Sequence, residues 1–216
     1  MKLWLAKMKH NVLAVGAHPD DIELGCGGAL LKHLENGDEV FVVVMTNGEM
    51  GGDKKIRRDE CLESFKILGI KGTNITFGNF PDGELKDDRH TVHFLERIIR
   101  GKNISKVYTH SPEDRHQDHR NCSLAVSSAA RKIPEILLFE GPSTKVNFEP
   151  HYFVEISEEQ LGVKLDSLMR YKSQVSKGIV NIEWARSLAK ANYSRTFIQN
   201  SEAFALNHVL KKGKDV

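Results

Sequence analysis

The sequence predicts an α/β fold, a doubly wound and mostly parallel Rossmann-like sheet with helices on both faces. Apolar runs of strand length alternate with segments of helical periodicity along most of the 216 residues. The run from Val40 to Val44 is continuously apolar, which is typical of a parallel strand covered on both faces. A hydrophobic content of 40% and the lack of low-complexity stretches predict a single domain over residues 1–216.

The predicted elements follow one another in βα order, with the right-handed crossovers that parallel strands require. Strands are predicted at 11–17, 39–46, 74–78, 106–109, 135–140 and 152–156. Helices are predicted at 27–35, 57–68, 91–100, 118–132, 157–171 and 182–193. Asn36-Gly37 has C-cap character, and Ser157 with Gln160 forms a capping box. The C-terminal third is predicted to elaborate the same domain.

Charge narrows the class of protein. The net charge is +2, and the basic residues are scattered among nearly as many acidic ones. A nucleic-acid binder would carry a basic stripe, so no nucleic-acid partner is expected. The one group of like charges, Lys211, Lys212 and Lys214, is interpreted as a solvated helix end.

Cysteine usage and hydropathy bear on location. Cys26, Cys61 and Cys122 are odd in number and widely spaced, which argues against a disulfide framework and for a reducing compartment. The apolar run after the first lysines is short and ends in His-Pro-Asp-Asp rather than a cleavage site, and no run reaches the length of a membrane span. We therefore expect a cytoplasmic protein without a membrane span, and leave a homo-oligomer open.

Two clusters of histidine and aspartate carry the functional signal. His18 to Asp21 follows the first predicted strand, and His116 to His119 follows the fourth. Open α/β sheets place their active sites at such strand ends. Two imidazoles and one carboxylate with an open fourth position are typical of a catalytic zinc site, and further acidic and histidine side chains suit acid–base work beside it. The pattern predicts a metal-dependent hydrolase.

Each cluster also has a simpler interpretation. His-Pro-Asp-Asp is good turn and cap chemistry, and His116 with His119 would suit the exposed start of a helix. The glycines in 16–28 do not have dinucleotide-binding spacing, and no phosphate-binding loop or serine nucleophile motif is present. Because both clusters follow strands predicted in the middle of the sheet, we favour a functional site.

The sequence resembles the LmbE-like or PIG-L de-N-acetylases, zinc enzymes that remove acetyl from N-acetylglucosamine units. The resemblance covers almost the whole chain. The segments that carry it are Ala17 to Asp21, Thr46 to Glu49, Arg57 with Glu60, Phe80 to Gly83, His116 to His119, Tyr171 to Gln174 and Ser201 to Phe204. Gln117 stands where the family often has proline, and the glycines usual before the last segment are missing around Arg195.

The resemblance implies a Zn²⁺ ion held by His18, Asp21 and His119. Asp20 would be the general base that takes a proton from the metal-bound water. His116, protonated, would stabilise the tetrahedral oxyanion and hand a proton to the leaving amine. Asp118 would orient His116, with helix capping as its alternative role.

Arg57 and Glu49 are the expected substrate-binding residues. Arg57 resembles a family arginine near the substrate, where its donor fork would suit hydroxyls or an anionic aglycone. The alternative is a surface arginine paired with Glu60 or Asp53. His110 is interpreted as an ordinary polar or core histidine. The expected partner is a small, soluble amino-sugar substrate.

Two other function classes stay open. A phosphoesterase or another metal hydrolase is one, although a two-metal version would need more bridging carboxylates. A non-catalytic sugar- or nucleotide-binding module on the same fold is the other. Asp20 and His116 argue against the binding module, because binding alone requires no base and acid beside a metal.

Overall fold

The computed structural model describes residues 9–210, and it confirms the predicted α/β class. The strands are β1 (Asn11–Gly16), β2 (Glu39–Thr46), β3 (Ile75–Phe80), β4 (Lys106–His110), β5 (Glu135–Phe139), β6 (Tyr152–Glu155) and β7 (Ser201–Val209). The helices are α1 (Asp21–Glu35), α2 (Lys54–Ile67), α3 (Arg89–Gly101), α4 (Gln117–Ala129), α5 (Glu158–Leu168), α6 (Lys172–Val175), α7 (Ile182–Ala191) and α8 (Tyr193–Thr196).

These strands form one sheet in the order β3-β2-β1-β4-β5-β7-β6. Strands β1 to β5 pair in parallel, and β7 joins antiparallel to both β5 and β6. Leu13 of β1 faces Phe41 of β2 on one side and Val107 of β4 on the other. The chain order reverses between β1 and β4, and open α/β sheets bind ligands outside the carboxyl ends of strands at such a switch point.

The core lies in two layers, one on each face of the sheet. Helices α1, α2 and α5 bury Leu30, Phe65 and Leu165 against one face. Helices α3 and α4 bury Leu95 and Val126 against the other. Because both faces are covered, β2 is continuously apolar from Val40 to Met45, as its sequence predicts.

Helix α1 begins six residues before its predicted start. Its first turn carries Asp21 and Glu23, which hide the apolar periodicity, and the backbone leaves helical geometry at Cys26. Gly25 lets this helix lie close to the sheet, since a Cβ there would come within 2.2 Å of the Phe139 ring. The break therefore separates a short segment that carries Asp21 from the longer predicted helix.

The C-terminal third adds two strands to the same sheet, of which β7 was not predicted. Lys211, Lys212 and Lys214 lie outside the described residues, but the segment before them is strand β7 and not the helix that the sequence interpretation assumed. The predicted capping box of α5 is present, with Ser157 and Gln160 bonded to each other's backbone amides. Among residues 9–210, every helix is too short or too polar to span a bilayer.

Candidate metal centre

The two predicted clusters meet at the carboxyl ends of neighbouring strands β1 and β4. His18 Nδ1 lies 3.2 Å from His119 Nε2. The Asp21 carboxylate lies 3.4 Å from each of these nitrogens, through Oδ2 to His18 and Oδ1 to His119. The structure thus brings the three predicted metal ligands together.

The spacing of these donor atoms fits a zinc ion. Ligands bound tetrahedrally at about 2.0 to 2.1 Å from zinc lie about 3.3 Å from one another, close to the separations seen here. Burial raises the pKa of Asp21, but His119 and His110 outweigh it and hold that pKa well below its ordinary value. Asp21 is therefore ionised, as a carboxylate that binds a metal must be.

Acidic side chains orient both imidazoles. His119 Nδ1 lies 3.3 Å from Asp114 Oδ2. His18 Nε2 lies 3.0 Å from Asp82 Oδ1 and 3.2 Å from Asp118 Oδ2. A histidine ligand commonly donates its second ring N–H to a carboxylate, and these contacts leave His18 Nδ1 and His119 Nε2 free for a metal.

The resemblance implied that Asp118 orients His116. The structure instead places its carboxylate against His18. The Asp118 carboxylate also accepts hydrogen bonds from the backbone amides of Gly83 and Leu85, so its direction is fixed by the loop after β3. It does not cap α4 either, because His116 occupies the N-cap position. This loop is distant in sequence, which is why the motif alone did not show the contact.

His116 is held as a neutral imidazole. Its Nδ1 accepts a hydrogen bond of 3.2 Å from the backbone amide of Asp118, so Nδ1 carries no proton and Nε2 does. Burial lowers the pKa of His116, and the nearby His18 and His119 lower it further. The expected protonated His116 is therefore disfavoured, although its Nε2–H remains a hydrogen-bond donor.

Asp20 lies beside the ligand set in a strained turn. Its φ of 103° is in the left-handed region, which is costly for a non-glycine residue and common at active sites. Burial raises the pKa of Asp20 to about 6, although the Arg57 guanidinium opposes that rise. A carboxylate with such a pKa suits a base that works near neutral pH.

Arg57 is buried against Asp20 and not paired at the surface. Its Nη1 donates to Asp20 Oδ2 at 3.1 Å, and its Nη2 donates to the Pro19 carbonyl at 2.8 Å. Asp53 instead caps α2, so the alternative of a surface ion pair is wrong. The bonds to Asp20 and Pro19 use two of its five N–H donors, and Arg57 also lines a cavity above the centre, so its contact with a substrate stays a prediction.

A cavity of about 440 Å³ opens above this centre. His18, Asp20, Asp21, His116 and His119 form its polar end. Its remaining wall includes the apolar side chains of Leu24, Met50, Pro142 and Ile179. This volume lies in the range of small-molecule sites. Further polar side chains also line the cavity, namely Arg57, Asp82, Gln117, Ser143 and Gln174.

Comparison with known proteins places the chain in a family. A family model described as PIG-L: GlcNAc-PI de-N-acetylase matches residues 13–130, more than half of the chain. The uncharacterized deacetylase YaiS of Escherichia coli (strain K12) is 41% identical over 178 residues, which cover 78% of this chain and 94% of that protein. The chain belongs to the PIG-L family.

The names of two further relatives state different reactions, a deacetylation and a hydration. The solved structure of N,N'-diacetylchitobiose deacetylase from Pyrococcus horikoshii is 26% identical, with a TM-score of 0.79 over 96% of this chain and 89% of that one. A 4-oxalmesaconate hydratase of Pseudomonas putida (strain KT2440) is 26% identical over 162 residues, which cover 65% of this chain and 61% of that protein. Membership of the PIG-L family therefore does not by itself fix the reaction.

Glu49, the second expected substrate-binding residue, does not reach the cavity of this PIG-L protein. It is exposed, and its Oε1 accepts a hydrogen bond of 3.2 Å from the backbone amide of Asp82. Asp82 Oδ2 in turn accepts from the amide of Met50 at 2.8 Å. Glu49 therefore ties two loops at the cavity rim together.

The sequence analysis missed three residues of the PIG-L centre. Asp82 contacts His18, Asp114 contacts His119, and His110 Nε2 lies 3.1 Å from Asp21 Oδ2. His110 ends β4 and Asp82 lies in the resembling segment Phe80 to Gly83, so position offered a signal for both. Asp114 precedes the second cluster by two residues and offered only its residue type.

We predict that Asp118→Ala lowers metal affinity by about 10- to 100-fold, because loss of a carboxylate that orients a histidine ligand has effects of that size. Asp88→Ala is the matched control. Asp88 caps α3, so its replacement lowers helix stability without changing the metal centre. Competition with a fluorescent zinc chelator would measure both. Equal affinities in the two variants would contradict this role of Asp118.

Proposed function

We propose that this PIG-L protein is a zinc-dependent deacetylase that hydrolyses the acetamido group of an N-acetylated amino sugar. The observation that carries the proposal is the placement of Asp20. It adjoins the ligand set, and its Oδ2 is held by Arg57. Its Oδ1 makes no hydrogen bond to any residue in 9–210 and belongs to a side chain that lines the cavity. The names of YaiS and of the diacetylchitobiose deacetylase support the same reaction.

His18, Asp21 and His119 would hold the zinc ion. A bound zinc ion lowers the pKa of a coordinated water to about 7 and polarises the amide carbonyl. With a divalent ion bound, the two imidazoles would bind it through deprotonated nitrogens, so two neutral rings and one carboxylate would leave the ion and its ligands with a net positive charge.

Asp20 would act as the proton carrier. Its Oδ1 takes a proton from the attacking water as the C–O bond forms and the carbonyl becomes a tetrahedral oxyanion. The same carboxyl group then delivers that proton to the nitrogen as the C–N bond breaks, which leaves acetic acid and a free amine. The acid then loses its proton to the amine or to solvent and becomes acetate. Arg57 holds Oδ2 at 3.1 Å throughout, so Oδ1 keeps one direction.

His116 would stabilise the oxyanion as a neutral donor. Its Nδ1 is occupied by the Asp118 amide, so only Nε2–H is available for the substrate. One preorganised donor of this kind contributes about 10² to 10³ in kcat in other hydrolases. We assign the proton of the leaving amine to Asp20 because a neutral imidazole is a weak acid.

The alternatives differ in what they release. A phosphoesterase, many of which use two metals, would release phosphate. Each group of side chains in 9–210 that could hold a metal contains His18 or His119, whose imidazoles adjoin each other. A binding module would release nothing. The hydratase relative makes addition of water to an unsaturated acid the alternative reaction within the family.

Product analysis tests the proposal. The zinc-loaded protein would be incubated with N-acetylglucosamine, diacetylchitobiose, an unsaturated dicarboxylic acid and an aryl phosphate, with acetate, free amine, hydrated acid and phosphate measured separately. We expect acetate and amine in equal amounts from the acetylated sugars. Hydrated acid or phosphate without acetate would contradict the proposal.

A further inference from the structure

Helix α6 forms part of the cavity wall through a side chain that the hydrolysis does not use. Gln174 lines the cavity, although only 1% of its surface is exposed. It belongs to Tyr171 to Gln174, a segment whose function the metal centre leaves unexplained. Its amide group has a direction that can be worked out from its neighbours.

Glu60 fixes Ser173, the residue before Gln174. Glu60 Oε1 accepts a hydrogen bond of 2.8 Å from the Ser173 amide, and Oε2 accepts one of 2.6 Å from the Ser173 hydroxyl. A carboxylate can only accept hydrogen bonds. The single hydroxyl proton of Ser173 is therefore committed to Glu60.

Ser173 in turn fixes Gln174. Because its proton is committed, Ser173 Oγ can only accept from the Gln174 side chain 2.8 Å away, so the amide group presents Nε2 to it. The second Nε2 proton is directed to the Gly51 carbonyl at 3.4 Å. Both donors of Gln174 are thus used within the protein.

The amide oxygen of Gln174 is left for the cavity. Oε1 makes no hydrogen bond to any of the residues from 9 to 210, and it lies over Gly51, where an added Cβ would be 3.6 Å away. Oε1 therefore meets the cavity as an acceptor, and a ligand that donates to it takes the place of water there. Its two lone pairs favour a neutral donor over an anion.

We propose that Gln174 is a specificity-determining residue whose Oε1 accepts a hydrogen bond from a hydroxyl group of the substrate sugar. This inference rests on the proposed function, since the acetamido group must lie at the metal end of the cavity for the sugar ring to face Gln174. A site built to bond a hydroxyl discriminates against analogues that lack it. The Glu60–Ser173 chain is what holds the acceptor in that direction.

A cycle of variants and deoxy sugars tests the inference. The kcat/KM for acetate release would be measured for the wild type and Gln174→Met on N-acetylglucosamine and on its 3-, 4- and 6-deoxy analogues. With the wild type, we expect the kcat/KM of one deoxy analogue to be on the order of tenfold lower than that of N-acetylglucosamine. With Gln174→Met, we expect the two substrates to have equal kcat/KM. Gln117→Met is the matched control, because Gln117 lines the same cavity from α4 and is expected to leave that discrimination intact.

The outcomes separate this inference from the proposed function. Suppose that the wild type releases acetate, but that for every deoxy sugar the loss in kcat/KM from the substitution Gln174→Met and the loss from the missing hydroxyl simply multiply. That result would overturn the role of Gln174 and leave the proposed function standing. The same conclusion would follow if Gln117→Met lost as much discrimination between sugar and deoxy sugar as Gln174→Met. No acetate from any sugar would overturn both. If Gln174→Met does not fold, Ser173→Ala removes the acceptor that directs Gln174 Nε2 and should weaken the same preference for the hydroxylated sugar; an unchanged preference would overturn the inference.

Discussion

Replacing Asp20 by asparagine is expected to lower kcat by about 10²- to 10⁴-fold, the usual effect of losing a general base. The amide oxygen cannot take a proton from water, but it can still accept from Arg57, so the turn should keep its shape. Zinc content should stay unchanged, because the proposed ligand atoms belong to His18, Asp21 and His119. Acetate release and metal analysis on the same sample would measure both quantities.

The neighbouring aspartate provides the control for that experiment. Asp21→Asn should lose metal, because the carboxylate lies 3.4 Å from both histidine nitrogens and an amide is a weaker ligand. The two adjacent substitutions should therefore fail for different reasons. Normal turnover by a zinc-loaded Asp20→Asn protein would remove Asp20 from the mechanism.

Replacing Lys164 by methionine is expected to cost about 3 to 5 kcal/mol of unfolding free energy, as breaking a buried ion pair does. Lys164 and Glu202 are 2% and 5% exposed, and Nζ lies 2.6 Å from Glu202 Oε1. The pair contacts the backbone of α1 on both sides of the break at Cys26. Lys164 donates to the Leu24 carbonyl before the break, and Glu202 accepts from the amides of Gly28 and Ala29 after it.

Urea unfolding would measure this effect against a surface pair. Lys164→Met leaves the Glu202 carboxylate buried without its counter-charge, whereas Lys55→Met breaks a pair with Asp59 whose side chains are 85% and 55% exposed. The surface variant should change the midpoint much less. Equal shifts in the two variants would show that the buried pair does not stabilise the break.

The position of the metal centre could be predicted from the strand ends, because each cluster of histidine and aspartate is a short contiguous segment of the sequence. His18 and Asp21 follow β1 closely, His119 lies in the first turn of the helix that follows β4, and parallel pairing of β1 with β4 brings them together. The bounds of strand β2 were also predictable from local sequence. Its residues are buried on both faces of the sheet, so they form an unbroken apolar run.

Contacts that depend on distant pairing were not predictable in this way. Strand β7 carries only the short apolar run Ala203 to Leu206 between polar residues, and it is held by pairing with β5 and β6. The Asp118–His18 contact joins residues 100 positions apart, and the Arg57–Asp20 contact joins residues 37 apart. Residue type suggested polar roles for Asp118 and Arg57, but only the fold shows which partner each one has.

Zinc titration with parallel acetate measurement tests the central claim most directly. After removal of metal by a chelator, acetate release from an N-acetylated amino sugar should rise with added zinc and level off at about one ion per chain. His119→Ala should bind zinc more weakly and release little acetate at that ratio. Full acetate release from the metal-free protein, or one tightly held zinc with full activity in His119→Ala, would contradict the assignment of this centre.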